Sequence, residues 1–160
     1  VCFLLEHLPD PQATLTRLRA LLKPGGEIIV VEGDHGSTLF HPDDADARAA
    51  IAAQVALQAR AGGDALIGRR VHPLLTAAGF VDVAVEPLTV YADAARPALQ
   101  RGFTRDTFAA MIRGLRAPAL AQGLIDAPAF DRGVAALERC AAPDGVFVYL
   151  FFKACARRAG

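Results

Sequence analysis

The sequence predicts an α/β fold: two parallel strands, then an edge strand, a helical insertion and an antiparallel last strand. Three observations carry that expectation. Residues 1–5 (VCFLL) and 27–32 (EIIVVE) are apolar runs that stop at polar clusters, Glu6-His7 and Gly33-Asp34-His35, as buried parallel strands do. The segment between them has the marks of one amphipathic helix. Further on, residues 144–154 (DGVFVYLFFKA) turn on Asp144-Gly145 into a run of strong strand character.

The first helix has clear limits. Asp10 caps its start, Pro11 suits the first helical position, and Pro24-Gly25-Gly26 ends it after Lys23. Leu15, Leu18, Leu21 and Leu22 make its apolar face. A right-handed crossover then brings Glu6-His7 and Asp34-His35 to the same edge of the sheet. Ligands of open α/β sheets bind at the carboxyl ends of the strands, so these clusters are the first candidates for a site.

After Asp34, HGSTLFHP reads as a loop leading to a helix that starts near Asp43-Asp44, with Ile51, Val55 and Ala59 on one face. That helix is either plain packing or one wall of a ligand pocket. Val71, Leu74, Leu75 and Ala78 form the next helical face, stopped by Gly79. Arg69 and Arg70 before it read as solvated. Val81, Val83 and Val85 alternate with polar or small residues, and Pro87 places this strand at a sheet edge.

Residues 91–142 show helical patterning alone. Thr104 reads as a cap between Phe103 and Phe108, Met111, Ile112 and Leu115 continue the apolar side, and Pro128 opens a helix with Phe130, Val134, Leu137 and Ala141 on one face. Such an insertion serves either as a lid that excludes water or as scaffold filling a core or a homodimer contact. Arg157-Arg158 reads as a frayed tail.

The 160 residues suffice for one domain, and 53% hydrophobic against 21% charged residues favours a packed class over disorder. Seventeen basic and seventeen acidic residues balance, which argues against nucleic acid or an anionic membrane as the main partner. Cys2, Cys140 and Cys155 form no C-x-x-C pair and read as buried thiols of a reducing, cytoplasmic protein. No apolar run reaches the roughly 18 residues of a membrane span.

LLEHLPDP, then LxxLxxLLKPGG, then a strand ending Glu-Gly-Asp closely resembles the second half of the class I S-adenosylmethionine-dependent methyltransferases of the small-molecule type. Residues 66–87 (LIGRRVHPLLTAAGFVDVAVEP) and 144–154 resemble that fold's late helix, sixth strand and antiparallel seventh strand. The resemblance implies a Rossmann-like sheet, S-adenosylmethionine as cofactor and a small-molecule methyl acceptor. It places Phe3, Leu4, Leu5 and Glu6 on the cofactor side of the cleft.

Methyl transfer is an in-line displacement that needs alignment and, for many acceptors, a proton acceptor. A neutral His suits that task near pH 7. His7, just past the first strand and beside Glu6, is the first candidate base, and His35 the second; each has a bland alternative as a loop or turn residue. Glu32 and Asp34 face the same crevice as acceptor-binding candidates, although Asp34 also suits a turn. Glu32, Asp34, His35, His41, Asp43 and Asp44 are also possible metal ligands by type, but their spacing fits no standard site.

The family's glycine-rich loop is absent: the fourteen glycines include no G-x-G-x-x-G, and the acidic residue that holds the cofactor ribose is missing too. The chain is therefore expected to be the carboxyl-terminal part of a methyltransferase domain, inactive alone. The alternative is a non-enzymatic partner-binding protein that keeps the fold without cofactor; a nucleotide-dependent oxidoreductase half shares the sheet but leaves LLEHLPDP and LKPGG unexplained.

Overall fold

In the computed structural model, which describes residues 1–160, the last strand occupies the middle of the sheet. Strands β1 (Glu27–His41), β2 (Phe80–Ala92) and β3 (Val146–Arg158) lie in the order β1-β3-β2, with β3 antiparallel to both neighbours. Pro87 is thus on an edge strand, where its missing N–H leaves no gap in the ladder.

The expected first strand shrinks to one parallel bridge between Cys2 and Val31. Phe3 then takes a left-handed conformation (φ 49°), and residues Leu5–His7 form a 3-10 turn. The cause lies in Glu32, whose Oε1 accepts hydrogen bonds from the Leu4 and Leu5 amides at 3.0 and 2.9 Å. A side-chain acceptor replaces the ladder and bends the chain out of the strand.

Helix α1 (Pro11–Leu21) starts as expected, Asp10 accepting from the Ala13 amide at 2.8 Å. Leu15, Leu18 and Leu22 join the core beside it, but Leu21 points to solvent, 82% exposed. Strand β1 runs on through the supposed loop to His41. The reason is a bulge: between Asp34 and Leu39 the pairing with β3 shifts, and the Ser37 hydroxyl fills the gap, accepting from the Leu150 amide at 3.1 Å and donating to the Asp34 carbonyl at 2.6 Å.

Helix α2 (Ala45–Arg60) is capped by Asp44, and α7 (Ala127–Arg139) packs tightly on it: a Cβ on Gly133 would stand 2.3 Å from the Asp46 carbonyl oxygen. Helix α3 (Val71–Ala77) ends at Gly79, φ 84°. The insertion begins after Ala92, since Tyr91 still belongs to β2. It comprises α4 (Pro97–Leu99), a π-helix (Gln100–Ala109), α5 (Ala110–Gly114), α6 (Arg116–Ala121) and α7.

Thr104 is no cap but lies inside the π-helix, fully buried, because the helical run starts upstream at Pro97. Gln100 ties the run to the turn before β3 by donating to the carbonyls of Ala142 and Gly145 at 2.9 and 2.8 Å. Arg157 and Arg158, expected to fray, are paired in β3, and Arg158 donates through its side chain to the Ala20 and Leu22 carbonyls.

Two hydrophobic clusters result. Ile28 and Val30 of β1 belong to one, with α1 and α3; Phe40 belongs to the other, with α2 and the insertion. The stretch of β1 between them carries the buried polar residues Glu32, Asp34 and His35.

Candidate functional site

The clusters at the ends of the first two apolar runs meet in space. Glu6 Oε2 lies 3.6 Å from His35 Nε2, and Glu6 Oε1 lies 3.7 Å from His7 Nε2. Gln58 of α2 donates to the Glu6 carbonyl at 2.9 Å and to its carboxylate at 3.1 Å. The two histidines differ in setting: His35 is buried, whereas the His7 side chain is 63% exposed.

Pairing with His35, and less so the Gln58 and His7 contacts, hold the Glu6 carboxyl below its ordinary range in spite of its burial. Glu6 is therefore a carboxylate at neutral pH. The His35 ring lies against Phe108 at 5.9 Å and edge-on to Tyr149 at 5.6 Å. Its backbone N–H donates to the Ala65 carbonyl at 2.9 Å, but Nδ1 is buried with no hydrogen-bond partner.

A cavity of about 350 Å³ opens beside this pair. Phe3, Glu6 and His35 form one side of it, Tyr149 and Phe151 of β3 another, and Phe103, Thr107, Phe108 and Met111 of the insertion a third. The π-helix explains how one short helical turn supplies both phenylalanines. Its wider winding bonds residues five apart, and Phe103 and Phe108 each come within 5.7 Å of the Tyr149 ring. Gly33 completes the floor: the Tyr149 hydroxyl sits where a Cβ would be, at 2.4 Å. Burial, with the Glu6 and Asp34 charges adding to it, pushes the Tyr149 hydroxyl far up, so it remains a neutral donor.

His7 lies outside this cavity, in an adjoining one of about 440 Å³ lined by Gln54, Gln58 and Gln122. Glu6 thus stands between two histidines that face different spaces. The α2 face of Ile51, Val55 and Ala59, weighed above as a pocket wall, does line a cavity of about 440 Å³, which His35 borders as well.

Glu32 and Asp34 line neither the aromatic cavity nor its neighbour. Glu32 is fully buried with Oε1 on the Leu4 and Leu5 amides and Oε2 unpartnered; burial pushes its carboxyl up, against the pull of those amides. Asp34 is held by Arg69 in a two-pronged pair at 2.5 and 2.8 Å and accepts from the Gly36 amide at 2.9 Å. Arg69 is therefore not a solvated bystander. Arg70 pairs with Asp64 at 2.6 Å.

Of the residues expected on the cofactor side, Phe3 and Leu4 are 46% and 44% exposed, while Leu5 is fully buried in the core around Leu15. Phe3 and Leu4 thus present open apolar surface, and the Leu4 and Leu5 amides are already taken by Glu32. Cys140 is the one buried thiol, pushed up to about 11 by burial; Cys2 and Cys155 are exposed, contrary to expectation. No three of the His, Cys, Asp and Glu side chains converge as metal ligands do, and no helix is long and apolar enough to cross a membrane.

Sequence reasoning missed Tyr149, Phe151, Gln58 and the Arg69 pairing. A signal for the first two was present: Phe147, Tyr149 and Phe151 alternate along the last strand and so share one face.

No family model matches the chain. An uncharacterized 37.1 kDa protein in transposon TN4556 of Streptomyces fradiae is 33% identical over 118 residues, which cover 73% of this chain and 33% of that protein. The chain thus spans about a third of the length of that relative. Among solved structures, a candidate methyltransferase from Bacillus halodurans C-125 matches 99% of this chain and 68% of its own, at 11% identity and a TM-score of 0.50. Haemonchus contortus phosphoethanolamine N-methyltransferase 2, in complex with phosphomonomethylethanolamine and S-adenosylhomocysteine, matches 99% of this chain and 32% of its own, at 15% identity and a TM-score of 0.48. On the Bacillus likeness, the chain has a class I methyltransferase-like fold with a helical insertion.

Proposed function

We propose that the chain is the acceptor-binding, carboxyl-terminal part of a cytoplasmic S-adenosylmethionine-dependent methyltransferase acting on a small molecule. The observation that carries this reading is the Glu6-His35 pair in the wall of an aromatic cavity that the insertion also lines. S-adenosylmethionine supplies an electrophilic methyl group when bound. Phe3 and Leu4 would hold its apolar portions from this side; the remaining contacts belong to residues outside this sequence.

Transfer in such a site depends first on alignment, which supplies effective molarities on the order of 10⁵ M or more. Phe103, Phe108 and Met111 act as the lid that keeps water from the acceptor. Glu6 and His35 act together as the proton acceptor, worth about 10²-fold or more. Their arrangement also gives the proton a way out: from buried His35 across Glu6 to exposed His7, by steps of 3.6 and 3.7 Å. His35 and His7 thus divide between them the task expected of either alone.

Calorimetric titration of the full-length gene product with S-adenosylmethionine and S-adenosylhomocysteine tests the reading. Binding of both is expected. Absence of binding by either would replace it with the partner-binding alternative, and the 160-residue chain alone is expected to bind neither.

A further inference from the structure

We infer that the aromatic cavity is built for a cationic amine, and that the acceptor is an amine rather than an acid or an alcohol. Recognition of the cation stands on the cavity alone; that the amine is methylated rests on the reading above. Phe3, Phe103, Phe108, Tyr149 and Phe151 wall the cavity. Their planes are inclined to one another, at 52° for Phe3 and Phe151, 59° for Phe103 and Tyr149, 80° for Phe103 and Phe151 and 56° for Tyr149 and Phe151. Their centroids lie 4.8 to 6.0 Å apart, so the rings pack on one another as a cluster that lines the cavity, and the negative face of an aromatic ring attracts an ammonium.

Charge points the same way. Glu6 supplies a carboxylate to the lining, and no Lys or Arg lines the cavity. His35, the other titratable group besides Tyr149, is paired to that carboxylate. An anionic acceptor would meet Glu6 and the ring faces with like charge, and an alcohol would gain one hydrogen bond to the Glu6 carboxylate but carries no charge for the rings to attract. A cation gains from both.

The chemistry closes on the same groups. The bound ammonium gives one N–H proton to the Glu6-His35 pair, the freed lone pair forms the N–CH3 bond, and the electron pair of the methyl–sulfur bond leaves with sulfur. Positive charge passes from sulfur to nitrogen. The product is again an ammonium, and it rises inside the one group of side chains here that stabilises it.

Three isosteric probes separate the alternatives: choline, 3,3-dimethylbutan-1-ol and 3,3-dimethylbutanoate, each titrated into the full-length gene product while amide chemical shifts are followed by NMR. Choline is expected to shift the amides of Phe103, Tyr149 and Phe151 and to bind about tenfold tighter than the alcohol, with the butanoate weakest. Glu6→Gln and Phe103→Leu should each remove most of that preference; should Phe103→Leu fail to fold, Glu6→Gln decides. Equal binding of choline and the alcohol, tighter binding of the butanoate, or no shift with choline overturns the inference. A choline preference in a full-length protein that ignores S-adenosylhomocysteine would keep the cation site and remove the methyltransferase reading. Cofactor binding without that preference would remove the amine alone.

Discussion

Glu6 and His35 come from separate elements, the turn after the first bridge and the bulge of β1, yet their side chains stand 3.6 Å apart with Gln58 bracing the carboxylate. Neither element alone positions the pair. A group assembled this way acts as a unit, so under the proposed function Glu6→Gln, His35→Ala and the double variant are each expected to lower methyl transfer by the full-length protein about 10²-fold, without additivity. His7→Ala should cost less, because water can take the proton at an exposed position. Single-turnover methyl transfer measures all four.

Gly33→Ala is expected to destabilise the chain by about 1–3 kcal/mol, since the added Cβ meets the Tyr149 hydroxyl and the buried ring must shift to admit it. Tyr149→Phe removes the clashing oxygen. In the double variant most of the loss should return, and urea unfolding of the four proteins gives the coupling directly.

Arg69→Met leaves Asp34 buried with the Gly36 amide as its remaining partner. Because the Arg69 side chain is half exposed, the expected loss is about 1–2 kcal/mol rather than the larger figure for a fully buried pair. Asp34→Ala alone and in combination with Arg69→Met should show that the two losses do not add, again by urea unfolding.

Acid should affect the site through two opposed carboxyls. Glu6 has a lowered folded-state pKa, so its contribution is present above its unfolded value near 4.5 and is lost as the pH falls through the folded value below that. Glu32 has a raised pKa, so protonation favours the fold as the pH falls through a value above 4.5. Unfolding midpoints of the wild type should therefore hold or rise from pH 7 toward 5 and fall below 4.5. In Glu6→Gln the Glu6 part of the acid loss should vanish, and in Glu32→Gln the rise.

What could be read from the residues was local chemistry and its direct geometric consequences. Asp10, Pro11 and Gly79 mark helix ends wherever they stand, and the crossover rule sufficed to bring Glu6 toward His35. What could not be read were contacts made by distant partners. HGSTLFHP has loop composition and becomes strand because β3 pairs with Leu39, Phe40 and His41. The left-handed Phe3 and the end of its strand are set by Glu32, and the partner of Arg69 is a carboxylate on another element. Thr104 reads as a cap only if Pro97 is ignored.

Because β3 lies between β1 and β2, the order of synthesis runs against the order of the sheet. As the chain leaves the ribosome, β1 and β2 are both complete before the strand that joins them exists, and the whole helical insertion intervenes. Until β3 arrives, each offers an unpaired backbone edge to any other nascent chain nearby. Production of this protein should thus be more sensitive to chaperone supply and to translation speed across residues 93–145 than to speed anywhere else.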